Sequence, residues 1–133
     1  MILPRVLFVL GVVLVLGGVS HSIGVGLFYA TAGVPDANRV LLDIWIAEAQ
    51  LLGGGLYLAA FRKWRAGTSW RTLSAFGAFT IVGFALPILP VLFLRAPWMF
   101  RIPQIIYLAF SLFIAAVSLR SEPSAPPQAA DTA

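Results

Sequence analysis

The sequence predicts an all-α fold, a polytopic membrane protein whose four transmembrane helices form a bundle, followed by a disordered C-terminal tail. Composition points there first: 60% of the 133 residues are hydrophobic, 11% are charged, and the mean hydropathy is +0.95. A soluble domain of this size has no interior large enough for so much apolar surface. Spacing points there second. Crossing a bilayer takes roughly 20 mostly apolar residues per helix, and four such stretches follow one another with short connections. Third, the basic residues border these stretches and do not interrupt them. The spans occupy residues 1–119 as one transmembrane domain, which leaves no stretch within this sequence for a separate soluble catalytic domain.

The first span, about residues 5–30, reads "VLFVLGVVLVLGGVSHSIGVGLFYA" after Pro4 and Arg5 and stops at the breaker "GVPD", residues 33–36. It is long enough to cross with tilt. Asp36 is placed to cap the second helix, about 37–61, which ends at the basic loop "RKWRAGTSWR", residues 62–71. The third span covers about 72–94, and Pro87 and Pro90 predict a kink in it, or its division into a helix and a re-entrant piece. After "RAPWMFR" the fourth runs over about 102–119. Residues 120–133, "RSEPSAPPQAADTA", combine Pro, Ala and polar side chains and predict a disordered cytoplasmic tail.

Orientation follows from the basic residues, which are retained on the cytoplasmic side. Four spans put Arg5, Arg62, Lys63, Arg65, Arg71 and Arg120 on one side; Arg39, Arg95 and Arg101 fall on the other. The imbalance predicts an inner (plasma) membrane protein with both termini cytoplasmic. The rival reading is a cleaved secretory signal, with Arg5, an apolar segment and "GVS" before His21, although apolar character resumes directly beyond that cut.

Several chemistries are excluded from within the chain. There is no cysteine and a single histidine, which removes disulfides, thiolate metal sites, iron–sulfur clusters, thiol catalysis and a pair of haem-ligating histidines. No metal or cofactor is therefore expected. A net charge of +4 invites nucleic acid, but the basic residues form no stripe with interleaved aromatics, so no nucleic-acid partner is expected either. Neither a phosphate-binding "GxxxxGK" loop nor a "GxSxG" nucleophile elbow occurs.

The polar residues inside the spans carry what functional signal there is. Counting from the basic residue bordering each helix puts His21, Glu48, Pro87 and Gln104 at depths of roughly 24, 21, 24 and 24 Å, one level on the outer side of the midplane. Glu48 stands out, because a charged carboxylate in hydrocarbon costs several kcal/mol unless it is paired or faces water. It is either hydrogen-bonded between helices or a proton-exchanging or cation-attracting group in a cavity. Asp43 lies about 140° around the helix from Glu48, too far for a shared-proton dyad. Arg39, four residues earlier, is the simplest partner for Asp43, with Arg101 as a competitor that could also attract an anionic headgroup. His21 is a helix-end residue or a partner of Glu48 or Asp43.

Stripes of small and polar residues predict the contact faces. The second helix aligns Asp43, Ala47, Gln50, Gly54 and Tyr57; the fourth aligns Gln104, Tyr107, Ser111, Ala115 and Ser118; the first offers Gly18, Ser22 and Gly26. Glycines 53–55 predict close helix packing on more than one face. Trp64, Trp70 and Trp98 read as interfacial anchors, and the deeper Trp45 as a pocket-lining or lipid-facing ring. The candidate ligand-binding or proton-exchanging residues are thus Glu48, His21, Asp43, Gln104, Tyr107, Arg101 and Trp45.

The segment "EAQLLGGGLYLAAFRKW", residues 48–64, resembles the acid-then-glycine-rich second span of an uncharacterised family of small four-span bacterial membrane proteins, of the domain-of-unknown-function type. The proline-containing "RAPWMFRIPQ", residues 95–104, is similar in the same way. That resemblance, over most of residues 5–119, implies a compact four-helix bundle and no particular activity. A weaker likeness is to the sterol-isomerase-like membrane proteins, whose bundles hold acids and a histidine around a lipid-accessible cavity; no catalytic residue is carried over.

The expected function is binding of a hydrophobic small molecule or membrane lipid in an intramembrane polar pocket, or service as a subunit beside a second copy or a membrane partner. The alternatives are a small proton-coupled transporter using Glu48 and an isomerase-like lipid enzyme using Glu48 or His21. Small multidrug exporters carry their acid in the first span, which here has none.

Overall fold

The computed structural model describes residues 2–87, 89–90 and 98–120, the last stretch without the side chains of residues 99–101, 103 and 104, and four helices longer than two residues organise these described residues. They are α1 (Leu3–Ala32), α2 (Ala37–Arg65), α3 (Arg71–Ala85) and α4 (Trp98–Leu119). The fold is all-helical among the described residues, and α1 and α2 are long and apolar enough to cross a bilayer. The expected tail beyond residue 120 and the run 91–94 that was to end the third span lie outside the described residues.

Local chemistry sets the helix ends. Pro4 sits in the first turn of α1, where its missing N–H leaves no partner wanting. Asp36 caps α2 by accepting from the backbone N–H groups of Asn38 at 2.9 Å and Arg39 at 3.1 Å. Arg62, Lys63 and Arg65 occupy its last turn, at the negative end of the helix dipole. Gly67, at φ +68°, then closes the helix: its N–H reaches Trp64 O and that of Thr68 reaches Lys63 O, the paired bonds of a Schellman turn. α3 stops at Ala85, with Leu86 and Pro87 in a turn. Proline has no N–H to extend the ladder, so the helix ends there and does not run kinked through Pro87.

Each helix packs on the next along the chain. α1 buries Pro4, Leu7, Gly11, Leu14 and Gly18, alternating steps of three and four. The expected seam of Gly18, Ser22 and Gly26 is corrected by this register. Successive steps of four drift around a helix by about 40° each, so Ser22 is exposed, bonded to Gly18 O, and nothing stands near Gly26. On α2 the glycines divide the work. A Cβ on Gly54 would lie 2.9 Å from Gly11 O of α1, one on Gly53 would lie 2.6 Å from Ile81 Cγ1 of α3, and one on Gly55 would meet nothing within 4 Å.

Tyr57, 1% exposed, is the largest fully buried side chain among the described residues and belongs to their core. The same buried cluster holds Leu7 and Leu14 of α1, Ala60 of α2, Trp70 just before α3, Ala78 and Ile81 of α3, and Ile114 and Ala115 of α4. Trp70, expected as an anchor at a surface, is instead 6% exposed within this core, because the loop before α3 turns its ring inward; Trp98 is 69% exposed. α4 buries Ser111, Ala115 and Ser118 along the expected stripe, and Ser118 donates to Ser74 of α3 at 2.8 Å. Elsewhere α1 and α2 stay largely uncovered: Val13, Leu16 and Leu27 are 59%, 61% and 64% exposed.

Candidate functional site

The four-residue loop 33–36 folds α2 back along α1, so the last turns of α1 lie beside the first turns of α2. Three polar side chains of this hairpin meet the carboxylate of Asp43, which is 4% exposed. From α1, the Tyr29 hydroxyl donates to Asp43 Oδ2. From α2, one turn before, Arg39 Nε–H donates to the same oxygen at 3.2 Å. His21 of α1 brings Nε2 to 3.5 Å from the other oxygen, Oδ1.

That last approach differs from the other two. Nε2 of His21 is buried and makes no hydrogen bond among the described residues, although a carboxylate oxygen stands opposite it. Hydrogen bonds of this type close at 2.7–3.2 Å, so Oδ1 and Nε2 face each other without joining. A buried polar atom left unpaired costs free energy, and an observed one calls for a reason. Of the two sides of the carboxyl group, the Oδ2 side is satisfied by Tyr29 and Arg39, and on the Oδ1 side an oxygen and a ring nitrogen are enclosed together without a hydrogen bond.

Two more unpaired polar atoms continue along the inner stripe of α2. Gln50 Oε1, seven residues beyond Asp43, is buried without a partner against Gly17 of α1. The Tyr57 hydroxyl, seven residues further, lies next to Ser111 of α4 but outside hydrogen-bonding geometry. Tyr107 packs against the same core cluster, so it belongs with Tyr57 at the inner end and not with Asp43.

Glu48 is elsewhere. It is exposed and makes no hydrogen bond or ion pair among the described residues. Expected at the centre of the pocket with His21, it is corrected to an outward position by its angle: α1 and α3 cover the Asp43 and Tyr57 side of α2, and Glu48 points away from both. Trp45 is 40% exposed and meets Phe84 of α3 edge-on, with ring centroids 5.5 Å apart. The side chains of Arg101 and Gln104 lie outside the described residues. Among the described residues no three His, Cys, Asp or Glu side chains stand together as metal ligands.

The sequence paired Asp43 with Arg39 and offered His21 as its partner; it did not single out Tyr29. The signal for Tyr29 was the loop length, since a four-residue turn sets the final α1 residues against the opening turns of α2. Gln50 was legible only as a member of its stripe. No protein family, curated protein or solved structure matches the chain.

Proposed function

We propose that the chain is a small multi-pass protein of the bacterial inner membrane, with both termini cytoplasmic, that binds the hydroxyl-bearing end of a hydrophobic ligand or lipid between α1 and α2. The observation that carries the site is the unclosed pair of Asp43 Oδ1 and His21 Nε2, 3.5 Å apart beside an otherwise satisfied carboxylate. One hydroxyl reaching this edge can donate to Oδ1 and exchange a second hydrogen bond with Nε2, which satisfies both. Arg39, its side chain 61% exposed, leaves its terminal nitrogens at the rim for a more polar headgroup atom. The hydrophobic body of the ligand would lie along the apolar flanks of the hairpin.

Support for the membrane placement comes from exposure and not from hydropathy alone. Core helices of soluble proteins are also apolar, but their apolar faces are covered; Val13, Leu16, Ile23 and Leu27 of α1 are more than half exposed. A helix apolar all round and uncovered is at home in lipid.

The test uses diacylglycerol, which has one free hydroxyl, against its acetylated ester. In native mass spectrometry of the protein released from lipid nanodiscs, the free hydroxyl form stays bound and the ester is lost. His21→Phe and Asp43→Asn remove the preference, while Gly55→Ala keeps it. Equal retention of both lipids by the native chain would refute the site.

A further inference from the structure

Glu48 stands at the centre of a face of α2 that no other helix covers among the described residues. Leu41, Leu52, Gly55 and Ala59 lie within about 40° of its direction. Leu41 and Leu52 are 60% and 54% exposed, and the space over Gly55 is open. α1 covers α2 through Gly54 and α3 covers it through Gly53, on the two other sides. Glu48 has no hydrogen bond or ion pair among the described residues.

Its axial position makes this costly. Glu48 comes twelve residues after the cap Asp36 and fourteen before Arg62, so about 18 and 21 Å of helix separate it from the two polar ends. A glutamate side chain spans a small part of either distance. In the membrane placement proposed above, its carboxyl faces acyl chains, where neither charge form finds a partner.

We propose, on the strength of that placement, that this face of α2 docks a transmembrane helix of a partner protein bearing a lysine or arginine opposite Glu48 and an apolar side chain over Gly55. Charge complementarity selects the occupant. A basic side chain converts an unpaired carboxylate into a hydrogen-bonded ion pair out of contact with lipid, and the missing side chain at Gly55 lets the helix axes approach. A second copy does not supply this. Two parallel copies related by a two-fold axis set Glu48 against Glu48, and the chain's own Lys and Arg residues lie at helix ends. His21, at a similar depth, is turned to Asp43.

The full chain, donor-labelled in phosphatidylcholine vesicles, is mixed with acceptor-labelled polyleucine helices that carry one lysine at the depth of Glu48 or none. Energy transfer reports association about tenfold tighter with the lysine helix than with the all-leucine helix. Glu48→Gln and Glu48→Leu reduce it to the all-leucine level, and Gly55→Leu weakens it. Equal association of the two helices, indifference to Glu48→Gln, or Glu48-dependent transfer between two copies of this chain each overturn the proposal. Alkaline carbonate washing of the same vesicles reads the placement separately. A chain retained without lysine preference ends the docking proposal alone, and a chain washed away ends both.

Discussion

Asp43 and Glu48 are the same chemistry five residues apart in opposite surroundings, one buried and one exposed. Asp43 is enclosed and tied to Tyr29 and Arg39, with His21 close by. Tyr29→Phe removes one of the two donors to Asp43 Oδ2, so it is expected to lower the midpoint of denaturation in mixed detergent micelles. Glu48→Gln, at an exposed and unpartnered position, is expected to change the isolated chain by less than about 0.5 kcal/mol. The reverse ranking would contradict the assignment of the two acids. Both acids were visible in the sequence, and so was the 140° between them. Which one faces inward was not, because counting from the helix ends gives depth and says nothing of rotation. Depth favoured Glu48; the register of α1 against α2 decides for Asp43.

At the scale of the helices, close approach governs. The Gly11–Gly54 crossing sets backbone against backbone, and a methyl group at Gly54 would press on Gly11 O and Leu14 Cβ, both at 2.9 Å. Gly54→Ala is expected to cost about 1–3 kcal/mol, the usual range for overpacking. Gly55→Ala meets no atom and gains helix propensity, so a stabilisation of up to about 1 kcal/mol is expected in the same denaturation series. Equal effects at the two positions would mean that α1 does not cross α2 here. The contact stripes of α2 and α4 were legible, because small and polar residues recur there at steps of three and four. Small residues four apart, Gly18, Ser22 and Gly26, do not mark the seam of α1; Leu7 and Leu14, unremarkable in composition, mark its line with Gly11 and Gly18. The end of α3 at Ala85 was half legible: Pro87 announced an interruption without telling a kink from a stop.

For the whole molecule, the exposed apolar side chains of α1 and α2 outweigh any other feature. Their meaning depends on the solvent around them. The basic loop at 62–71 and the loop at 33–36 fall at opposite ends of α2, which predicts opposite sides of a membrane. The chain has no cysteine, so single-cysteine variants need no background substitution. In intact cells an impermeant thiol reagent is expected to label Val34→Cys and to spare Thr68→Cys until the membrane is opened. Labelling of both, or of Thr68→Cys alone, contradicts the orientation. Whether α1 and α2 lie in lipid is read from the collision accessibility of nitroxide labels at Leu16, Ile23 and Leu52 in reconstituted vesicles. Embedding in lipid predicts strong relaxation by oxygen and almost none by a water-soluble nickel complex at all three positions, with the opposite pattern at Thr68. Nickel accessibility at Leu16 and Ile23 equal to that at Thr68 would place α1 in water and contradict the account.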